Sequence, residues 1–193
     1  MSVAIIDYGA GNIQSIRFAL ERLGVSATLS SDPETIQSAS HVIFPGVGEA
    51  SSAMAKLKRT KLDTLIPELT QPVLGICLGM QLMCHSSEEG HTKGLSIFDV
   101  DVHRFQKTVK VPQIGWNQIA NLQSDLFAGV TENEFVYLVH SYYAPLCKET
   151  IATTNYGLKY TTALRKGNFY GTQFHPEKSS KAGNQILNNF FNL

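Results

Sequence analysis

Short apolar runs alternate along the first half of the chain with stretches in which apolar residues recur at helical spacing. The runs predict a buried strand at residues 3–6 and further strands at residues 27–29, 41–44 and 72–76. The helical stretches lie at residues 13–23 and 54–66. Gly24 supplies a residue that tolerates a left-handed helix end, and Asp32, Pro33 and Glu34 predict the start of a short helix. Strand followed by helix, repeated, predicts a parallel sheet covered by helices.

The second half of the chain is richer in β-forming residues. Its predicted strands lie at residues 97–102, 135–143, 151–156, 161–164 and 169–174. Apolar residues at helical spacing in the tail, residues 180–193, predict a final helix that packs on the sheet. The whole pattern predicts an α/β fold: a mostly parallel central sheet, helices on both faces and antiparallel strands added in the C-terminal half. We expect one domain spanning residues 1–193, because no repeat or linker interrupts it.

Charge and cysteine content exclude several classes of function. Lys plus Arg and Asp plus Glu number 16 each, so no net field favours binding to nucleic acid or an anionic membrane. No apolar run reaches the length of about 18 residues that a membrane span needs, and the start of the chain lacks a signal peptide's basic flank. Three cysteines without a CxxC pair indicate neither a disulfide framework nor a zinc site. We therefore expect a cytoplasmic protein without a metal.

Cys77 lies where a predicted strand turns directly into a helix, with Gly75 and Gly79 two residues to either side. This spacing is typical of a nucleophile elbow, a tight turn at the carboxyl end of a strand. The sequence predicts that the Cys77 side chain is exposed there, and that the start of the helix favours the thiolate, the nucleophilic form. Cys84 and Cys147 lack such a frame and are predicted to be inert.

A thiol nucleophile needs a base, and His175 follows an apolar strand almost a hundred residues downstream. Glu177 comes two residues later, so in extended backbone the two side chains project to the same side. The carboxylate could then fix the imidazole tautomer and stabilise the imidazolium. The other histidines lack an acid at that position and are predicted to be surface or core residues.

Two backbone segments are candidates for stabilising the oxyanion that forms when a thiolate attacks an amide carbonyl. One is the N–H of Leu78, directly after the nucleophile, and the other is the glycine-rich loop at residues 45–48 (PGVG). A plain strand-to-helix turn is the alternative for this loop. Phosphate binding is disfavoured because no lysine follows at P-loop spacing.

The elbow with Gln81 and the HPE run at 175–177 resemble class I glutamine amidotransferases. Within that class, five runs together resemble the glutaminase subunits of imidazole glycerol phosphate synthase: residues 7–12 (DYGAGN), 45–48 (PGVG), 112–117 (PQIGWN), 140–142 (HSY) and 175–179 (HPEKS). The resemblance extends over almost the whole chain. It departs at Ala50, where many relatives carry an aromatic residue, and this affects only packing beside the loop.

The resemblance implies a catalytic triad of Cys77, His175 and Glu177 that hydrolyses glutamine through a glutamyl thioester. It implies that glutamine is held by Gly46, Val47, Gly48, Leu78, Gln81, Ser141 and Tyr142. It implies no cofactor and a heterodimer with a TIM-barrel cyclase subunit. That subunit would use the ammonia to make imidazole glycerol phosphate and an aminoimidazole carboxamide ribotide in histidine biosynthesis. The implied interface residues are Asn12, Trp116, Asn117 and Lys178.

Three alternatives remain open from the sequence. Another class I glutaminase, serving anthranilate, nucleotide or carbamoyl phosphate synthesis, would keep the same triad. A cysteine peptidase or similar hydrolase would share the elbow but has no need for Gln81. A non-catalytic binding module is disfavoured by the presence of all three triad residues. We also expect low activity without the partner, because residues 46–48 would have to reorient to direct an N–H at the oxyanion.

Overall fold

The computed structural model describes residues 1–9 and 11–193 and contains thirteen strands and six α-helices. The strands are β1 (Val3–Ile6), β2 (Ala27–Ser30), β3 (His41–Phe44), β4 (Val73–Ile76), β5 (Ser86–Ser87), β6 (Thr92–Lys93), β7 (Asp101–Arg104), β8 (Gln113–Gln118), β9 (Phe135–His140), β10 (Tyr142–Tyr143), β11 (Thr150–Asn155), β12 (Lys159–Lys166) and β13 (Phe169–Thr172). The helices are α1 (Ile13–Arg22), α2 (Pro33–Ser38), α3 (Ala50–Arg59), α4 (Leu62–Leu65), α5 (Leu78–Met83) and α6 (Ser180–Phe190). In the described part of the chain, no helix is long and apolar enough to cross a membrane.

A seven-stranded sheet forms the centre of the molecule, in the order β11-β12-β13-β4-β3-β1-β2. Its strands β13, β4, β3, β1 and β2 are parallel, while β11 and β12 are joined antiparallel at one edge. The predicted mostly parallel sheet with antiparallel additions is therefore confirmed. Because β3, β4 and β13 are parallel neighbours, the segments that follow them meet at the carboxyl ends of these strands. These segments carry the glycine-rich loop, Cys77 and His175.

The central strands β1, β3, β4 and β13 are buried on both faces, and alternate residues of each strand project into the cores on opposite sides of the sheet. Along β1, Ala4 and Ile6 belong to one core, and Val3 and Ile5 belong to the other. The first core is completed by buried residues of α2, α3 and α5, and the second by those of α1 and α6. Helices on both faces are thus confirmed.

Local signals for helix ends also hold. The Asp32 side chain accepts a hydrogen bond from the Thr35 backbone N–H at 2.9 Å and caps α2. Gly24 adopts a left-handed φ of +71° after α1, and its N–H donates to the carbonyl of Glu21. Phe18 departs from the predicted apolar face, because its side chain is 51% exposed whereas Leu20 is buried.

Two predicted strands are shorter than expected. Of residues 97–102, only the end lies in a strand, β7, because the backbone N–H groups of Ile97 and Phe98 both donate to the Met83 carbonyl at the end of α5 instead of to a neighbouring strand. Their apolar side chains are buried in the core all the same. Residues 135–143 break at Ser141 into β9 and β10, which belong to different sheets.

The remaining strands form two smaller sheets, and residues of β9 and β10 lie beside the segments that carry Cys77 and His175. β10, β7, β5 and β6 form one, and β8 and β9 form a two-stranded antiparallel ribbon. The sequence pattern of β8 (Gln113–Gln118) did not predict a strand, because its apolar residues are few and face outward: Ile114 is 62% exposed and Trp116 is 53% exposed.

Candidate active site

Cys77 lies between β4 and α5 in an unusual backbone conformation, with φ of 53° and ψ of −109°. A residue other than glycine rarely adopts a positive φ, and such strain is characteristic of functional turns. The flanking glycines are needed for close packing. A Cβ atom on Gly79 would overlap the Phe44 carbonyl oxygen, and one on Gly75 would overlap the Met83 side chain. The predicted elbow is present, and its tightness follows from contact with the end of β3.

The prediction that Cys77 is exposed is wrong, because its side chain is only 7% exposed. The elbow does raise the side chain above the sheet edge, but neighbouring segments fold over it. Together they enclose a cavity of about 320 Å³, a size typical of small-molecule sites. The cavity is lined by Val47, Gly48, Cys77, Leu78, Gln81, Glu89, Pro112, Val139, His140, Ser141, Tyr142 and His175. The thiol therefore lines a pocket that is partly open to solvent.

His175 and Glu177 form a buried pair, with Nδ1 of the imidazole 2.8 Å from Oε1 of the carboxylate. Their side chains are 3% and 1% exposed. The contact does not arise from extended backbone as the sequence suggested, since β13 ends at Thr172 and Glu177 lies in a 3-10 turn, Pro176–Lys178. That turn folds the carboxylate back under the ring.

The pKa of His175 is set by opposing effects. Burial lowers it, but hydrogen bonds to Cys77 and Glu177 and the charges of both groups raise it to about 10. Glu177 engages Nδ1, so the Cys77 interaction falls to the Nε2 side, although Nε2 has no hydrogen bond of good geometry in the described chain. Catalytic hydrogen bonds are often loose without substrate. The arrangement favours a protonated, positively charged His175 ring beside Cys77.

Gln81 is buried beside the thiol and anchored from both sides. Its Nε2 donates to the Tyr142 carbonyl at 3.0 Å and to Oε1 of Gln173 at 2.8 Å. The backbone around Ser141 and Tyr142 is also fixed by His140, whose Nδ1 lies 2.7 Å from the same Tyr142 carbonyl. Burial lowers the pKa of His140 to about 4, so this ring is neutral and donates from Nδ1.

The glycine-rich loop packs directly on the start of α5. A Cβ atom on Gly46 would lie 2.6 Å from the Gly79 nitrogen and 2.8 Å from Cβ of Leu78, so this position has no room for a side chain. Gly48 is different, since it has φ of +99° and no neighbouring atom near a potential Cβ. The hydroxyl of Tyr8 donates to the Pro45 carbonyl at 2.9 Å and holds the base of the loop.

The Leu78 N–H also faces this region. Leu78 is the first residue of α5, and the first N–H groups of a helix have no acceptor within it. The N–H is thus available to an anion beside Cys77. The structure places both predicted sources of oxyanion donors, Leu78 and residues 46–48, at the same cavity.

Glu89 lines the cavity and was missed by the sequence reasoning. Its Oε2 accepts a hydrogen bond from the Ala50 N–H at 2.9 Å, at the start of α3. Burial raises its pKa, the Ala50 hydrogen bond lowers it, and the nearby Glu49 raises it. In the sequence, Glu89 follows another glutamate, Glu88, in an ordinary polar stretch, so no local signal distinguished it. It supplies an acidic group at the cavity opposite a thiol.

The predicted interface residues do not all lie together. Trp116 packs edge-on against Tyr137 with ring centroids 6.0 Å apart, and Nζ of Lys178 lies 5.8 Å from the centre of the same ring. Asn117 projects to the opposite face of β8, where its amide donates to the Asn155 carbonyl at 3.0 Å. Asn12 precedes α1 without a capping hydrogen bond from its side chain, and Ala10, in the run at 7–12, lies outside the described residues.

The described residues, 1–9 and 11–193, contain no group of three or more His, Cys, Asp or Glu side chains able to hold a metal ion. The groups at the cavity include a thiol, a histidine that pairs with a carboxylate, and a side-chain amide.

Comparison with known proteins places this geometry in a family. The family model described as glutamine amidotransferase class-I matches residues 4–193. The chain is 57% identical over 196 residues to the imidazole glycerol phosphate synthase subunit HisH of Bacteroides thetaiotaomicron, covering 100% of both chains. The chain belongs to the class I glutamine amidotransferases, in the HisH family.

More distant relatives agree with this assignment. The HisH subunit of Yersinia pseudotuberculosis serotype I is 44% identical over 196 residues, again with 100% of both chains covered. Among solved structures, PurLQS from Thermotoga maritima superposes with a TM-score of 0.76 at 15% identity, covering 99% of this chain and 97% of that one. That likeness concerns the fold, which is the class I glutamine amidotransferase fold.

Proposed function

We propose that this HisH-family enzyme hydrolyses glutamine to glutamate and ammonia at the cavity of Cys77, with His175 and Glu177 as the other members of a triad. The single observation that carries the proposal is that the strained Cys77 turn and the buried His175–Glu177 pair, whose Nδ1 and Oε1 atoms are 2.8 Å apart, meet at one cavity. The family assignment places the chain among glutamine amidotransferases of histidine biosynthesis.

In the first half of the reaction, the Cys77 thiolate forms a bond to the side-chain carbonyl carbon of glutamine. The carbonyl electron pair moves to oxygen, and this oxyanion accepts hydrogen bonds from the Leu78 N–H and from an N–H of residues 46–48. As the tetrahedral intermediate collapses, the C–N bond breaks. The His175 imidazolium gives its proton to the leaving nitrogen, which departs as ammonia and leaves a glutamyl thioester.

In the second half, neutral His175 takes a proton from water and the resulting oxygen nucleophile attacks the thioester carbonyl. The C–S bond breaks, the thiolate returns beside the imidazolium, and glutamate is released. Glu177 stabilises the imidazolium in each resting state and holds Nδ1 as a donor, so that Nε2 performs both proton transfers. One glutamine and one water give one glutamate and one ammonia.

Binding of glutamine's amino-acid end follows from which atoms the protein leaves free. Both hydrogens of the Gln81 amide are used by the Tyr142 carbonyl and Gln173, so Gln81 presents only its oxygen to the cavity. Together with the Glu89 carboxylate, it suits a positively charged α-ammonium group. Backbone N–H groups near Gly48 and of Ser141 and Tyr142 then suit the α-carboxylate.

The ammonia is proposed to pass to a cyclase subunit in a heterodimer. Free ammonia in neutral water is mostly protonated and no longer nucleophilic, so a sealed transfer route preserves its reactivity. The exposed face of the β8–β9 ribbon fits a docking surface: it carries Ile114, Trp116, Phe135 and Tyr137, with Lys178 beside them. Tryptophan and tyrosine are enriched at interface hot spots. Asn117 has its amide engaged elsewhere and is the weakest member of the proposed interface.

The test is glutamate release from glutamine by the purified chain, alone and mixed with a HisH-partner cyclase and its nucleotide ligand. Cys77→Ala should abolish release, whereas Cys147→Ala, at a half-buried free cysteine outside the cavity, should retain it. Stimulation by the cyclase supports the pathway. Release that ignores the cyclase would assign the enzyme to another amidotransferase pathway, and no Cys77-dependent release under any condition would refute the proposal.

A further inference from the structure

Gln173 is a fully buried amide between β13 and His175 that makes contact with the nucleophile. Its Nε2 lies 3.7 Å from Sγ of Cys77, within hydrogen-bonding distance for sulfur. Its Oε1 accepts a hydrogen bond from Nε2 of Gln81 at 2.8 Å. One side chain thus connects the thiol to the residue proposed to anchor glutamine.

The orientation of this amide is fixed by a backbone atom. The oxygen and nitrogen of a glutamine amide are hard to distinguish by shape and must be assigned from their partners. The Tyr142 carbonyl can only accept, so Gln81 must direct its NH₂ group at that oxygen and, with its second hydrogen, at Gln173. Gln173 must therefore present its oxygen to Gln81, which leaves its NH₂ group facing the sulfur.

We infer that Gln173 stabilises the Cys77 thiolate by donating an N–H to its sulfur, and that it couples this donor to the glutamine-anchoring Gln81. The inference rests on the proposed function. A hydrogen bond to the charged form of a group favours that form, and in a buried site the effect is stronger than in water. The Val139 carbonyl, 3.8 Å from the sulfur, acts in the opposite direction, because it can only accept a hydrogen bond and so favours the protonated thiol as donor.

The donor acts at both chemical steps. The sulfur carries negative charge before it attacks glutamine and again when it leaves the thioester, so an N–H in place at Sγ lowers the energy of the thiolate in each. Substrate adds a further effect. When an α-ammonium group binds the Gln81 oxygen, it restrains the Gln81 amide, and through the 2.8 Å hydrogen bond it restrains Gln173 as well. Gln173 is thereby held in place when glutamine is bound.

Two substitutions separate the roles of the amide. Gln173→Glu keeps an oxygen for Gln81 but replaces the N–H donor with a carboxylate oxygen facing the sulfur. Gln173→Met removes both interactions without adding charge. Gln71→Met is the matched control, since the Gln71 amide donates to the Ile36 carbonyl at 2.8 Å, away from the cavity.

The assay is the rate of Cys77 alkylation by iodoacetamide between pH 5 and 10, with Cys77→Ala to subtract the other thiols. We expect the pH of half-maximal alkylation to rise by about one unit or more in Gln173→Glu, by less in Gln173→Met, and not at all in Gln71→Met. The glutaminase kcat should fall in Gln173→Glu with KM changed less than about threefold, because Gln81 keeps its partner. An unchanged alkylation profile in Gln173→Glu would overturn the inference.

The wild-type protein provides a second measurement should either variant fail to fold. In ¹⁵N-labelled protein, the Gln173 side-chain NH₂ resonances should titrate together with Cys77 alkylation and lose that titration in Cys77→Ala. Resonances that ignore Cys77 ionisation would also overturn the inference. Because neither the alkylation profile nor the NMR titration requires glutamine, these two measurements distinguish a failure of this inference from a failure of the proposed glutaminase function.

Discussion

Replacing Glu177 by Gln removes one negative charge from the His175 pair with almost no change in volume. In the native chain the carboxylate is 1% exposed and its Oε1 lies 2.8 Å from Nδ1 of His175. The other oxygen, Oε2, is buried without a hydrogen bond to any described residue. The carboxylate's strongest partner is therefore the imidazole, and the amide oxygen of the variant can still accept from Nδ1.

The size of the effect follows from the buried, charge-assisted character of this hydrogen bond. Such bonds contribute about 1.5–3 kcal/mol, and the transition states of both steps contain a developing or departing imidazolium. If that free energy is lost from the transition state, kcat/KM falls about 10- to 150-fold. The pKa of His175 should also fall, because Glu177 helps to raise it to about 10. The alkaline limb of the pH profile should then move to lower pH.

The assay is kcat/KM for glutamate release with the partner cyclase, measured from pH 5 to 10. Glu88→Gln is the matched control: Glu88 also contacts a histidine, with Oε1 2.9 Å from Nδ1 of His103, but these side chains are 53% and 42% exposed. Exposed pairs contribute little, so Glu88→Gln should change kcat/KM less than about threefold. Wild-type kcat/KM and an unmoved alkaline limb in Glu177→Gln would refute the role assigned to the buried pair.

Three further predictions concern packing, pH and docking. Gly46→Ala should lower the free energy of unfolding by about 1–3 kcal/mol, because its Cβ would lie 2.6 Å from the Gly79 nitrogen. The measurement is urea denaturation, and unchanged stability would contradict the packing described. Burial lowers the pKa of His140 to about 4, so between pH 6.5 and 4 the unfolded chain binds a proton that the native chain does not. Stability should therefore fall as pH falls through this window, by up to about 3 kcal/mol, and urea denaturation of His140→Gln should show a weaker dependence. Trp116→Ala should weaken cyclase binding about 30-fold, measured by calorimetry, and should change the free energy of unfolding by less than about 0.5 kcal/mol. Leu146→Ala, at a residue 51% exposed on another segment, is the control and should change neither cyclase binding nor stability.

Much of this molecule is determined by local sequence pattern. The apolar runs predicted β1 to β4 within one or two residues. For β1, β3 and β4 the reason is that a strand buried on both faces needs an unbroken apolar run. Asp32 and Gly24 marked helix boundaries correctly, because capping and left-handed residues act over a few neighbours. Likewise, the glycines around Cys77 indicated an elbow, since the tight turn depends on residues adjacent to it.

Other features depend on contacts between distant segments, which no local pattern encodes. Cys77 is buried because segments distant in sequence line the same cavity, Glu89 reaches that cavity next to the start of α3, and Gln173 contacts the thiol and Gln81 from almost a hundred residues away. Strand β8 was not predicted, because its apolar residues face outward and an alternating pattern predicts a strand only when the apolar face is the buried one. The sequence by itself determined the sheet, the elbow and the identity of the candidate triad. Only the tertiary structure decided which buried amides and carboxylates surround the thiol, because burial and hydrogen-bond partners arise when the chain brings distant residues into contact.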